Sequence, residues 1–303
     1  MDQKKRVVAL GFFDGVHLGH AALLRRVTEV AGKLEAVPAA VTFDKHPEDV
    51  ILGRPHIPLI TAPADRAELM SRLYGIREII IAHFDRRMMQ MPWEAFIEDF
   101  LVREHGAVHL VAGHDFHFGY RGEGDPVRLR EKCARLGIGC DIIPKVELDG
   151  FTVSSTYIRS LLAQGEMERA GRFLGHPYSL GGKVAHGKRL GSALGFPTVN
   201  LAFSAGVMAP AFGVYAARAC FGEQCRMAVV NVGVRPTVED GGQVNAEGFL
   251  LDFHGDLYGK DLRLDFYRFL RPERKFETLE ALRGEVMRNA EQTRAYFEEE
   301  FHA

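Results

Sequence analysis

Cysteine is scarce in this chain. Four residues in 303, Cys133, Cys140, Cys220 and Cys225, show no C-x-x-C spacing. The expectation is neither a zinc site nor a disulfide framework, and a reducing, cytoplasmic setting. An excess of either charge is also missing. Lys and Arg total 38 against 40 Asp and Glu, a net charge of -2. That excludes a global field able to hold a nucleic acid, so any phosphate contact must be local. No apolar run reaches the ~20 residues of a membrane helix. Lys4, Lys5 and Arg6 precede an apolar run, but Asp14 interrupts it short of a secretory core. Internal repeats and low-complexity tracts are absent. What is present is ordinary core-forming composition, 47% hydrophobic and 26% charged. The length is about twice a ~150-residue domain, which favours two domains.

The first half alternates short apolar runs with amphipathic stretches. Strands are expected at Arg6 to Leu10, Ala36 to Thr42, Glu78 to His83, Val108 to Ala112 and Gly139 to Ile143. Between them helical spacing covers His17 to Leu34, Ala64 to Tyr74, Pro92 to Glu104 and Pro126 to Leu136. This is an α/β pattern with a parallel sheet of about five strands. Helical segments at Thr156 to Ala163 and Glu166 to Leu174 follow, and the texture changes at Gly175 to Pro177, setting domains of 1–175 and 176–303. Beyond it, Gly213 to Cys220, Arg226 to Val232, Ala246 to Phe253 and Leu262 to Phe269 suggest a small antiparallel barrel or sandwich. Leu279, Leu282, Val286 and Phe297, spaced through a charged stretch from Thr278 to Phe301, suggest a closing helix.

Chemistry concentrates in a few motifs. After the first strand runs Gly11-Phe12-Phe13-Asp14-Gly15-Val16-His17-Leu18-Gly19-His20. Three-residue spacing at a helix start puts both imidazoles on one face, beside free N–H groups and the positive end of the helix dipole. Gly19 removes a side chain where a nucleotide would approach the backbone. A second element, Ser154-Ser155-Thr156-Tyr157-Ile158-Arg159, offers hydroxyls before a helix and an Arg that can grip phosphate oxygens. A third, Gly113-His114-Asp115-Phe116-His117-Phe118-Gly119, follows a later strand and so belongs at the carboxyl edge of the sheet, where ligands of open α/β sheets bind.

In the second half, Gly182 to Lys188 imitates a P-loop, but Arg189 stands where Ser or Thr would bind magnesium, and Gly191, Gly195 and Pro197 break any following helix. A P-loop ATPase is therefore rejected. Pro197-Thr198-Val199-Asn200 instead places a hydroxyl and an amide oxygen on alternate positions of an extended segment, so both can address one hard cation. Glu247 falls in phase with Phe249, Leu251 and Phe253, a carboxylate on a strongly apolar face that needs a partner or a task.

The His-x-Gly-His, Gly-x-Asp-Phe-x-Phe-Gly and Ser-Ser-Thr-x-Ile-Arg motifs together resemble the adenylyltransferase module of bacterial bifunctional riboflavin kinase/FAD synthetases. Phe212 to Tyr215, Asn231 to Thr237 and Phe249 to Gly259 resemble that family's riboflavin kinase module. The resemblance implies a Rossmann-like nucleotidyltransferase domain over 1–175 and a kinase β-barrel over 176–303. It further implies that riboflavin is phosphorylated by ATP to FMN, and FMN adenylylated to FAD with pyrophosphate released, in the presence of Mg2+. His17 and His20 would then act on ATP phosphates, with Gly11, Phe13, Asp14, Gly19, Ser154, Ser155, Thr156 and Arg159 around them. His46, Asp115, Phe116 and Arg271 would lie near flavin or nucleotide, the Gly187, Lys188 and Gly191 loop over kinase phosphates, Thr198 and Asn200 on magnesium, and Glu247 on the ribityl hydroxyl.

Departures from the family pattern are Lys45 before His-Pro, Ser192 after Gly191, Val238 after Arg-Pro-Thr and Gly248 after Glu247. The partners implied are small molecules, without nucleic acid or membrane, and homo-oligomerisation is compatible with the sequence. An aminoacyl-tRNA synthetase-like fragment, which shares His-x-Gly-His, and a flavin-binding sensor without phosphate transfer stay open at this level.

Overall fold

A computed structural model describes residues 4–53, 57–185, 198–235 and 243–301. The chain divides into two compact units, Met1–Ser155 and Thr156–Ala303.

In the first unit five strands, β1 (Arg6–Leu10), β2 (Val37–Phe43), β3 (Glu78–Ala82), β4 (Ala107–Gly113) and β5 (Gly139–Ile143), form one sheet in the order β3-β2-β1-β4-β5. All four pairings are parallel. The central strands are apolar throughout because both faces are covered. Val7 and Ala9 of β1 join Leu24 and Val27 of α1 (Leu18–Lys33) and Leu69 and Met70 of α3 (Pro63–Tyr74) on one side. Val8 and Leu10 join Phe96, Leu101, Leu110 and Leu129 on the other. Period-two alternation of β1 thus feeds two cores.

Helix α6 (Pro126–Leu136) has the limits its sequence announces: Asp125 caps it by accepting from Arg128 N–H, Pro126 opens it, and Gly137 leaves it in a left-handed conformation. The stretch expected as one helix at 92–104 begins as α5 (Trp93–Ala95) and continues as a π-helix over Phe96–Glu104. Short helices α2 (Pro47–Leu52) and α4 (Arg86–Met89) were not foreseen.

Two short antiparallel strands, β6 (Glu147–Leu148) and β7 (Phe151–Thr152), end the first unit, and α7 (Ser155–Gln164) and α8 (Met167–Leu174) lead into the second. Six antiparallel strands follow: β8 (Tyr178–Lys183), β9 (Thr198–Ala202), β10 (Gly213–Phe221), β11 (Gln224–Arg235), β12 (Gln243–Leu250) and β13 (Asp261–Pro272), ordered β8-β13-β10-β11-β12-β9. The sheet curls until Ala185, just past β8, bridges Asn200 of β9. Tyr215, Val230, Leu264 and Phe266 are buried within it. Helix α9 (Leu279–Phe301) covers the opposite face of β10 and β11, seating Ala290 with Val214 and Val229, and Tyr296 and Phe297 with Ala216.

Two sequence expectations need correction here. Cys220 and Cys225 are disulfide-bonded, because the β10–β11 hairpin sets them directly opposite each other with Cα atoms 4.1 Å apart. Their spacing looked uninformative only while the turn was unrecognised. Cys133 and Cys140 remain thiols. Strand β12 stops at Leu250 and Asp252 takes φ 53°, so the alternation read from Glu247 as far as Phe253 holds through Phe249 and Leu251, which share one cluster, and fails before Phe253.

Candidate active sites

The order β3-β2-β1-β4-β5 reverses direction between β1 and β4, so the loops leaving these strands flank the crevice at the carboxyl edge. The loop after β1 is strained. Phe13, Gly15 and Val16 adopt φ values of 57°, 76° and 45°, and two of the three carry a side chain there. Hydrogen bonds over-determine that shape. The Asp14 carboxylate accepts from the N–H of Ile60 at 2.9 Å and of Thr61 at 3.1 Å. Gly15 N–H donates to Thr61 Oγ1 at 3.0 Å, and Thr42 Oγ1 donates to Phe12 C=O at 2.7 Å. Ser155 Oγ donates to Asp14 C=O at 3.0 Å. Asp14, expected among phosphate ligands, is 2% exposed and fixes the turn from behind.

His17 is the N-cap of α1, its Nδ1 accepting the His20 N–H at 3.3 Å. The two rings stack with centroids 3.6 Å apart and planes 12° apart, and Phe13 meets His20 edge-on. Gly19 gives this stack room: a Cβ there would lie 3.0 Å from His17 Cε1 and would push the ring. His20 Nδ1 is buried without a hydrogen-bond partner. Burial, then the neighbouring His17 and Arg66, holds the His20 pKa well below the ordinary imidazole value. His20 is therefore neutral at pH 7 in the free protein, rather than the cationic donor that its position at an anion site suggests.

Beneath the loop lies a residue that sequence reading missed. Arg66 of α3 is fully buried, its guanidinium 4.2 Å from the centre of the Phe12 ring. It shares the buried face of α3 with Leu69 and Met70. An Arg on an apolar helix face was the signal available. His46 caps α2 and sets its ring against Phe12 at 4.8 Å. In the loop after β4, Asp115 is largely exposed beside His114, while Phe116 stacks on Phe118. Thr156 and Arg159 meet on the first turn of α7 at 3.3 Å. Ser154 is half-buried.

The second unit holds a cavity of about 330 Å³ between its sheet and α9. Register builds its polar wall. Asn231 and Glu247 are paired across β11 and β12, and Glu247 and Asn200 across β12 and β9. Thr198 pairs with Phe249 one step along the same face. Thr198, Asn231, Glu247, Phe249 and Arg271 all line the cavity. Asn200 is 6% exposed, and its side-chain nitrogen is buried without a partner.

Opposite, Asn231 donates to Glu273 Oε1 at 2.9 Å. Gly233 lets that carboxylate approach, since a Cβ would come within 2.1 Å of Glu273 Oε1. Arg271 contacts the buried Glu285 at 3.2 Å and Asn289 at 3.1 Å, and Arg274 and Arg288 also bind Glu285. Burial lowers the Arg271 pKa, and Glu285 counters it. Gly187, Lys188, Gly191 and Ser192 lie outside the described residues. Among the described residues no cluster of three His, Cys, Asp or Glu could hold a metal, and no helix is long and apolar enough to cross a membrane.

Comparison with known proteins follows the same division. The FAD synthetase family model matches residues 1–157 and the riboflavin kinase model residues 174–297. Bifunctional riboflavin kinase/FMN adenylyltransferase from Listeria monocytogenes is 35% identical over 96% of this chain and 92% of its own. The protein of that name from Escherichia coli K12 is 33% identical over 97% and 94%. A solved structure from Streptococcus pneumoniae, described as a macrolide-efflux protein, superposes with a TM-score of 0.82 at 29% identity, over 97% of this chain and 95% of its own. With one family model per half and full-length relatives above 30% identity, the chain belongs to the bifunctional riboflavin kinase/FMN adenylyltransferase family.

Proposed function

We propose that the two units perform consecutive steps. The second transfers the γ-phosphoryl group of ATP to the terminal ribityl hydroxyl of riboflavin, giving FMN and ADP. In the first, a phosphate oxygen of FMN attacks the α-phosphorus of ATP, the bond to the bridging oxygen breaks, and FAD and pyrophosphate form. Neither step requires a protein nucleophile, so positioning and charge neutralisation are the tasks left to the chain.

For adenylyl transfer we assign His17 and His20 to the phosphates, with Gly11, Phe13, Gly19, Ser154, Ser155, Thr156 and Arg159 around them and Asp14 holding the turn. His46, Asp115 and Phe116 are assigned to the nucleotide and flavin side. The orphaned Nδ1 of His20 supports its role, since a buried ring nitrogen without a protein partner suits a ligand proton or oxygen. For phosphoryl transfer Glu247 is the base that takes the hydroxyl proton, Arg271 lies on the flavin side, and Gly187, Lys188 and Gly191 cover the phosphates.

Thr198 and Asn200 fit a magnesium ion brought in by ATP. Each can offer an oxygen to it, the Thr198 hydroxyl and the Asn200 amide carbonyl, while the buried Asn200 amide nitrogen that lacks a protein partner is a donor suited to a phosphate oxygen rather than to the cation. When bound, magnesium neutralises charge developing on the phosphate oxygens. We place the functional boundary at the change of texture near residue 175, and the enzyme in the cytoplasm with small-molecule partners.

The observation that carries the reading is that each half has its own family match and its own polar site. Incubation with riboflavin, ATP and magnesium, with flavins separated by chromatography, tests it. FMN should appear first and FAD after it. ADP formation with riboflavin unchanged would overturn the assignment.

A further inference from the structure

Arg66 is out of place by the ordinary rules of burial. It is the largest fully buried side chain in the described chain, yet it makes no ion pair among the described residues. A buried guanidinium is normally matched by a carboxylate. The opposite charge that acts on it is Asp14, whose oxygens are already engaged by Ile60 and Thr61. Burial lowers the Arg66 pKa to about 10, so the group stays charged at neutral pH.

Its neutral acceptors explain what it is for. Nη1 donates to Thr42 Oγ1 at 2.9 Å and to Phe43 C=O at 3.1 Å, and Nη2 donates to Thr61 C=O at 3.4 Å. Thr42 spends its hydroxyl proton on Phe12 C=O, so towards Arg66 it can only accept. Thr61 receives Gly15 N–H on its hydroxyl and gives its own N–H to Asp14. Two of the three acceptors are thus bonded directly to the Phe12–Gly15 turn, and the guanidinium lies over the Phe12 ring. Nε is left buried without a partner.

We infer that Arg66 is a positioning residue for adenylyl transfer, a buried cationic fork that ties the end of β2 and the Ile60–Thr61 segment to the strained turn and so fixes the His17–His20 pair. The inference rests on the reading that this pair receives the phosphates of ATP. Shape alone would be served more cheaply by an apolar side chain, which would not orphan a donor. A fixed cation behind a turn that accepts an anion serves both shape and charge.

The test uses the full-length chain with Arg66→Lys and Arg66→Met. Kinetic constants for FMN adenylylation are measured beside riboflavin phosphorylation in the same preparation, with melting temperature. Misplacing reacting groups by about 1 Å can cost about 10²-fold. Arg66→Lys, which keeps charge but cannot bridge three acceptors, should lower kcat for adenylylation about 10- to 100-fold with KM for ATP changed less than about threefold. Arg66→Met should lose more, and riboflavin phosphorylation should be unchanged in both. A merely structural arginine would lower the melting temperature and leave kcat per folded molecule within about threefold of wild type; that result overturns the inference. So does a raised KM with unchanged kcat, which would mark simple ground-state binding. If Arg66→Met does not fold, Arg66→Lys alone decides. His20→Ala serves as the separate control: unchanged adenylylation there would defeat the reading of the site itself, whatever the Arg66 variants do.

Discussion

The two sites are assembled in opposite ways. In the first unit, Gly11, Asp14, His17, Gly19 and His20 fall within one unbroken stretch of sequence, Gly11 to His20, and packing beneath the turn gives them their geometry. In the second, Thr198, Asn231, Glu247 and Arg271 come from four strands and share a wall only because antiparallel register sets them side by side. A contiguous site shows in the sequence as a motif, while the parts that hold it are scattered and silent. A register-built site is the reverse: its scaffold of strands is legible, and its members are not visibly connected until pairing is known.

The comparison is broken most severely by changing one member of the register-built wall. Glu247→Gln keeps size but cannot accept a proton, and FMN formation should fall roughly 10²- to 10⁴-fold while adenylylation of supplied FMN is untouched. Initial rates for both reactions on one preparation, with its melting temperature, check this. Near-normal phosphorylation with a lowered melting point would return Glu247 to the scaffold.

His20→Ala tests the contiguous site. Loss of one preorganised contact typically costs about 10² to 10³ in rate, so FMN should accumulate from riboflavin while FAD formation collapses. Equal loss of both products from a folded variant would show that the two sites are not separable.

How much was legible follows from the same contrast. The parallel strands were readable because β1 and β2 are covered on both faces, and α6 because Asp125, Pro126 and Gly137 mark its ends. The His17–His20 turn was readable as a motif at the start of a helix. Its clamps were not, because Thr42, Thr61 and Arg66 act through backbone and hydroxyl bonds that link residues far apart in sequence. Gly19 was read as room for a ligand, and the structure adds that it also leaves room for the His17 ring. In the second unit Glu247 stood out by strand phase, but Asn231 and Glu273 did not, since their meeting depends on the β11 register and the bare Cα of Gly233. The disulfide was missed for the same reason, an unrecognised hairpin.

A milder test uses pH. The folded-state pKa of His20 lies well below 6.5, so the unfolded chain binds the proton first as pH falls. Stability from this group is complete above about pH 6.5 and declines below it, with a slope of at most about 1.4 kcal/mol per pH unit for one proton. His20→Gln should flatten that part of the curve. Urea midpoints of both proteins at pH 7.5 and 5.5 measure the difference. An equal decline in the two would show that other groups carry the acid sensitivity.

The smallest effect concerns the strand beside the proposed base. Gly248 follows Glu247 and pairs with Val199 and Val230, so it points away from the cavity into the curled sheet. A Cβ at this position would sit 3.1 Å from Val199 Cγ2, 3.6 Å from Val230 Cγ2 and 3.7 Å from Leu264 Cδ2. Only the first contact is tight, and its partner is a methyl group that can shift by a few tenths of an ångström. Against that crowding stands reduced freedom of the unfolded chain, about 0.4–1 kcal/mol for Gly to Ala where the backbone is compatible. Gly248 has no left-handed φ to forbid it. Gly248→Ala should therefore change stability by less than about 1 kcal/mol, read as a urea midpoint, and stiffen β12 next to Glu247. Because Glu247 lies on the other face of the strand, the rate of riboflavin phosphorylation should stay within about twofold of wild type. A loss above tenfold at unchanged stability would mean that the register around Glu247 tolerates no adjustment, and would make the second site as finely held as the first.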